Sequence, residues 1–150
     1  MPQSLANVHV HLIFSTKGRE RWITDGVREA LHAYMARVLQ NLDCQVTSIN
    51  SVEDHVHLLF DLGRKVSVSE VVEKVKTSSS KWMKEQGSGR EEFAWQAGYG
   101  AFGVSASNIE AVREYVVNQR EHHRKRTFQE EYRVFMERHG LAMDERYAWD

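Results

Sequence analysis

The sequence predicts an α+β fold: a ferredoxin-like βαββαβ antiparallel sheet with additional C-terminal helices. Three observations predict it. Strand-like apolar runs and helical apolar spacings follow one another in the order strand, helix, strand, strand, helix, strand, helix, helix. Capping boxes mark two helix starts, Ser67 with Glu70 and Thr127 with Glu130. No internal repeat, low-complexity tract or linker interrupts the series, and its first six elements have the ferredoxin-like order, which places two helices on one face of the sheet.

Val8 to Phe14 reads as the first strand, and Lys17-Gly18-Arg19-Glu20-Arg21 as a basic turn after it. A helix opens at Thr24-Asp25, with Val27, Leu31, Tyr34 or Met35, Val38 and Leu42 at helical spacing. Gln45 to Asn50 is the second strand. The third is Glu53-Asp54-His55-Val56-His57-Leu58-Leu59-Phe60, an apolar run with β-branched and aromatic members. Leu62-Gly63-Arg64-Lys65 breaks the pattern. From Ser67, a second helix carries Val68, Val71, Val72, Val75, Trp82 and Met83 as its apolar stripe, with Lys74, Lys76, Lys81 and Lys84 on other faces.

Gly87-Ser88-Gly89 is a loop, and Phe93-Ala94-Trp95-Gln96 reads as a short strand. Gly98-Tyr99-Gly100-Ala101-Phe102-Gly103 matches the dinucleotide fingerprint GxGxxG. That reading fails, because no strand closes a βαβ unit after it and the chain continues into a charged helix. The glycines read as a turn, and Ala101 to Ser105 as the last strand. A third helix runs from Asn108 to about Arg124, with Ile109, Val112 and Val116 on its apolar side. A fourth runs from Thr127 to about His139 and is ended by Gly140.

The 150 residues are most simply one domain, with 41% hydrophobic and 27% charged residues, ordinary values for a globular protein. The single cysteine, Cys44, excludes a disulfide framework and a cysteine zinc site. No apolar stretch approaches the ~20 residues that span a bilayer, and Met1-Pro2-Gln3-Ser4 does not open a signal peptide. The expected location is the cytoplasm, with no membrane partner. A net charge of −1 exerts no global pull on nucleic acid, so any such contact must come from local patches.

In a strand, residues i and i+2 share a face. His55 and His57 therefore stand side by side, opposite Val56, Leu58 and Phe60. Neutral imidazole is a common metal ligand, although His9 and His11 on the first strand are a rival pair. Tyr115 and Gln119 are four apart on the third helix and share a face, with His122 one turn further. Arg120, Arg124, Lys125 and Arg126 form the densest basic cluster.

Asp54-His55-Val56-His57-Leu58, Trp95-Gln96-Ala97-Gly98-Tyr99-Gly100-Ala101-Phe102, and Tyr115-Val116-Val117-Asn118-Gln119 followed by His122-His123 together resemble the IS200/IS605-type single-tyrosine transposases, members of the HUH endonucleases. The resemblance extends from the first strand to about Tyr132. It implies a ferredoxin-like fold, an obligate homodimer, a divalent metal bound by His55, His57 and Gln119, and a nucleophile at Tyr115. In relatives the tyrosine helix can pack on the partner subunit, so that a site can draw on both chains. The implied substrate is single-stranded DNA recognised through hairpins, and the implied outcome is a 5′-phosphotyrosine and a free 3′-hydroxyl. The resemblance also selects His55 and His57 over His9 and His11, which remain candidates for structural or DNA-contacting roles.

The chemistry fits such assignments. A free tyrosine, of pKa about 10, is ionised in roughly one molecule in a thousand at pH 7, a deficit of about 4 kcal/mol. A nearby cation offsets part of it and polarises a phosphate oxygen. Two imidazoles, an amide oxygen and water or phosphate oxygens suit Mg2+ or Mn2+, the nitrogen ligands tilting the choice to Mn2+. Asp61 is roughly 13 Å along the strand from His57 at about 3.3 Å per residue, too far to share an ion. Glu53 is read as an outer acceptor orienting His55, and His122 as the competitor to Gln119. Expected phosphate contacts are Lys17, Arg19, Arg21, Lys81, Arg120, Arg124 and Arg126. Trp95 or Tyr99 could stack on bases, and Trp95 fits the core equally well. Rival functions are a domesticated nickase of chromosomal repeat hairpins, a non-catalytic ferredoxin-like nucleic-acid-binding regulator, and a metal hydrolase of small phosphates.

Overall fold

The alternation of apolar residues along the strands decides the architecture. The computed structural model describes residues 3–143, 145–146 and 148–150; Met1 and Pro2, in the N-terminal stretch read above for a signal peptide, lie outside the described residues. The elements are β1 (His9–Ser15), α1 (Asp25–Asn41), β2 (Gln45–Ser51), β3 (His55–Asp61), α2 (Val68–Lys84), β4 (Gly100–Val104), α3 (Ile109–Val117), α4 (Gln119–Lys125) and α5 (Phe128–Arg138). The sheet order is β2-β3-β1-β4 and every pairing is antiparallel, which is the ferredoxin-like arrangement predicted. Among the described residues, no helix is long and apolar enough to cross a membrane.

One face of the sheet presents Val10, Leu12 and Phe14 from β1 and Val56, Leu58 and Phe60 from β3. These pack against Leu31, Met35 and Leu39 of α1 and Val71, Val75 and Met83 of α2. Burial of each such side chain contributes about 1.5–3 kcal/mol. The other face carries Ile13 and Phe102, covered by Phe128, Tyr132 and Phe135 of α5. The histidines of β3 point to this second face and are consequently buried beneath a C-terminal helix. Both predicted capping boxes form. Ser67 Oγ accepts from the Glu70 N–H and Thr127 Oγ1 from the Glu130 N–H, each at 3.2 Å.

Three expectations are corrected. The third helix is not continuous to Arg124 but breaks at Asn118 (φ −92°, ψ 24°). The side-chain amide of Asn50, on β2, donates to the carbonyls of Val116 (3.0 Å) and Val117 (2.8 Å). Those carbonyls would otherwise serve the next helical turn. Phe93 to Gln96 is not a strand: it makes one bridge, Trp95 to Thr16, because the chain after β1 curls at once into a 3-10 turn (Lys17–Arg19), with Gly18 at φ 65°. Gly100 lies within β4 rather than in a turn, and the strand ends at Val104 rather than Ser105.

Gly100 is where α5 meets the sheet. A Cβ there would lie 2.9 Å from Tyr132 Cε2 and 3.1 Å from Ile13 Cγ2. Gly100→Ala is expected to cost about 1–3 kcal/mol by overpacking. Urea denaturation should show a lower midpoint at unchanged slope, and an unchanged midpoint would contradict this account of the close approach.

Candidate active site

β3 supplies two imidazoles that are almost wholly shielded from solvent. His55 Nδ1 is 2.7 Å from Asp54 Oδ1. An ionised carboxylate can only accept, so His55 carries its proton on Nδ1 and turns Nε2 inward. His57 Nδ1 is 2.7 Å from Nε2 of His11, on the neighbouring strand β1, and the two rings stack with centroids 5.0 Å apart. His57 also turns Nε2 inward, and that atom is buried without a hydrogen-bond partner.

Three further groups converge on the pair. Tyr115 of α3 donates its hydroxyl to Glu131 Oε1 at 2.6 Å. Gln119, the first residue of α4, donates from Nε2 to Glu131 Oε2 (3.0 Å) and Oε1 (3.2 Å), and the same nitrogen is 2.9 Å from His55 Nε2. Glu131 of α5, 1% exposed, completes the cluster, with Oε1 2.8 Å from His57 Nε2 and Oε2 3.3 Å from His55 Nε2. No hydrogen bond is formed at the His57 approach.

Glu131 is the residue that sequence reasoning missed. Its signal was present: on α5 the positions 128, 131, 132 and 135 have core-facing spacing, and a glutamate among Phe128, Tyr132 and Phe135 breaks the apolar stripe. The predicted outer acceptor is also corrected. Asp54 holds His55, whereas Glu53 faces Arg28 (3.9 Å) and His123 (4.0 Å). β3 begins at His55, so the strand alternation that would have placed Glu53 beside His55 does not reach it.

The electrostatics follow from burial and from Glu131. Burial works against a charged His55, but hydrogen bonds to Asp54 and Glu131 outweigh it and raise the imidazole above its usual value. Burial dominates at His57 and at His11, and both are lowered. Burial alone would raise Glu131, yet His57 and His55 hold it far below the usual carboxylate range. Burial, and then the adjacent Glu131 charge, push the Tyr115 phenol up.

The donors fit a divalent cation. One atom each from His55, His57 and Glu131 lie within 4.8 Å of one another. His57 Nε2 and Gln119 Oε1 are both buried and partnerless, and each is a ligand type that first-row divalent ions accept. Asp54, His55 and His123 form a second such group, but its carboxylate already engages Nδ1 of His55.

Comparison with known families matches residues 4–119 to the model described as "Transposase IS200 like". The chain belongs to this family. It is a transposase by that membership. No curated protein matches. Among solved structures, a candidate transposase from Deinococcus radiodurans R1 is 22% identical, with 79% of this chain and 98% of that one covered and a TM-score of 0.60. A REP-associated tyrosine transposase bound to a REP hairpin is 10% identical, with 82% and 72% covered and a TM-score of 0.61. At these identities the two structures share the fold.

In this IS200-like transposase, four of the predicted basic contacts lie together. Arg19, Arg21, Arg124 and Arg126 line a cleft of about 480 Å³ that also reaches Asp54 and His123, so it opens beside the His55 end of the cluster. Arg120 instead pairs with Asp25 at 3.0 Å. Lys17 is exposed on the turn after β1. Lys81 lines a separate groove of about 710 Å³ along α2, with Lys84, Trp95 and Tyr99. Trp95 belongs to the core and donates from its indole to Ser79 Oγ at 2.9 Å. Tyr99 is 37% exposed. Lys76 is not a free surface lysine: it donates to the carbonyls of Gln96 (2.7 Å), Ala97 (3.3 Å) and Gly98 (2.5 Å). His122 stacks on the Tyr115 ring at 4.0 Å rather than facing the imidazole pair. His9 pairs with Asp61 at the far end of β1.

Proposed function

We propose that this transposase cleaves and rejoins single-stranded DNA through a covalent tyrosine intermediate, with a divalent cation, Mg2+ or Mn2+, held at the imidazole pair. The observation that carries the reading is the convergence of the Tyr115 hydroxyl and the inward Nε2 atoms of His55 and His57 on one buried carboxylate. His55 and His57 would hold the cation through Nε2. Gln119 contributes its amide oxygen, now partnerless, once the amide has turned over. Amide oxygen and nitrogen exchange places at little steric cost. When bound, the cation supplies positive charge that favours phenolate and polarises a phosphate oxygen.

Tyr115 Oη releases its proton to solvent and forms a bond to the scissile phosphorus. The bond from phosphorus to the 3′-oxygen breaks, and the leaving oxygen takes up a proton. The products are a 5′-phosphotyrosine and a free 3′-hydroxyl. Strand joining is the reverse attack and needs no external energy source, because the phosphodiester energy is kept in the protein–DNA link. The cleft of Arg19, Arg21, Arg124 and Arg126 offers phosphate contacts next to the pair. DNA hairpins are the proposed substrate, as in the REP-hairpin complex of the structurally similar transposase. A homodimer is the proposed assembly, pairing two such sites.

The test is incubation of the protein with 3′-end-labelled single-stranded hairpin DNA and Mn2+ or Mg2+, since the strand 3′ of the cut is the one left on the tyrosine. A labelled band of protein mass that survives denaturation is expected only with a divalent ion. Hydrolysis or binding without any such band would sink the tyrosine mechanism.

A further inference from the structure

Glu131 lies outside residues 4–119, the stretch matched to the family, yet it touches every other member of the cluster. We infer that Glu131 is itself a ligand of the divalent ion, supplying the anionic position of the site and linking that position to the Tyr115 hydroxyl. The inference rests on the metal site proposed above and deepens it.

Spacing supports a ligand role. Two adjacent ligands about 2.1 Å from one ion in octahedral geometry are about 3 Å apart. The carboxylate oxygens of Glu131 are 2.8 Å from His57 Nε2 and 3.3 Å from His55 Nε2. The cluster therefore already has the edge lengths of a coordination shell.

Charge balance supports it as well. An imidazole that ligates through Nε2 is neutral, with its proton on Nδ1, and both rings have a partner for that proton, Asp54 and His11. Asp54 lies at the arginine-lined cleft, so the buried cluster itself holds one carboxylate, Glu131, and no side-chain cation among its five groups. A negative charge in so buried a place needs compensation, and a divalent ion supplies it. A carboxylate present only to pair with an imidazolium would duplicate Asp54 at His55.

Position adds a consequence. Glu131 Oε1 accepts the Tyr115 hydroxyl proton. A carboxylate bound to the cation would hold the phenol oxygen next to the coordination shell, on the side of the sheet that α5 covers. Gln119, whose amide now donates to Glu131, would be freed to present its oxygen.

The experiment is Mn2+ titration of the full chain without DNA, followed by the loss of free-ion EPR signal, on wild type, Glu131→Gln, Glu131→Asp, His57→Ala and Tyr115→Phe. Glu131→Gln keeps the shape and removes the charge. It is expected to weaken Mn2+ binding at least tenfold, with Glu131→Asp recovering part of the loss and Tyr115→Phe close to wild type. Mn2+ binding by Glu131→Gln within twofold of wild type, with His57→Ala weakened, overturns the inference and leaves the metal site standing. No uptake by the wild type removes the metal reading and this inference together. Should the glutamate variants fail to fold, 13C ENDOR on wild type with carboxyl-labelled glutamate and Mn2+ decides the matter. A directly coordinated carboxylate carbon is expected, and its absence overturns the assignment.

Discussion

Tyr115→Phe is expected to abolish the covalent protein–DNA adduct and to lower strand cleavage by about three orders of magnitude or more, the scale seen when a nucleophile is removed. Hairpin binding should stay within about twofold of wild type, because the lost atom is one hydroxyl and the arginines of the basic cleft are untouched. The substitution also takes one donor from the buried Glu131 carboxylate. Hydrogen bonds to charged groups contribute roughly 1.5–3 kcal/mol, so a modest fall in the melting temperature is expected, and circular dichroism would record it. Adduct gels and mobility-shift assays on the same preparations separate the functions. Undiminished cleavage by the phenylalanine variant would assign the nucleophile elsewhere. Loss of DNA binding in parallel with cleavage would reduce the residue to a structural role.

The second large effect is expected from removing the cation or its imidazoles. Chelation by EDTA should stop cleavage, and added Mn2+ should restore it. His57→Ala should lower cleavage by at least about a hundredfold at saturating DNA and should not recover at ordinary Mn2+ concentrations. The physical reason is the state of the phenol. Burial and the Glu131 charge hold the Tyr115 proton more tightly than in free tyrosine, so the cluster without a cation works against phenolate. Neutralising that carboxylate removes one of the two causes. Cleavage that persists in EDTA would show that the phenol is activated by another route and would end the metal-dependent account.

Much of this site was legible from short-range spacing. His55 and His57 were expected on one face of a strand with Val56, Leu58 and Phe60 on the other, and they lie there. Tyr115 and Gln119 were expected on one helical face. They converge on Glu131 although the helix breaks between them at Asn118. The break was not legible, because its cause is the Asn50 amide on a distant strand. Glu131 was not legible as a partner of the histidines, because nothing near it in the chain says that α5 lies across the second face of the sheet. The same holds for Lys76: its helical position reads as solvated, and only the fold brings the carbonyls of Gln96, Ala97 and Gly98 to its ammonium.

What the sequence by itself determined is everything that depends on local covalent geometry. The period of two along β1 and β3, the helical stripes of α1 and α2, and the side-chain caps at Ser67 and Thr127 are set within a few residues of one another. These suffice for the order of elements and for the face on which the imidazoles stand. Only the tertiary structure decided what meets that face. Burial beneath α5, the pairing of His57 with His11 across two strands, and the convergence of Glu131 on both imidazoles depend on groups far apart in the chain. Their contact energies exist only after the apolar faces have packed, so no local pattern records them.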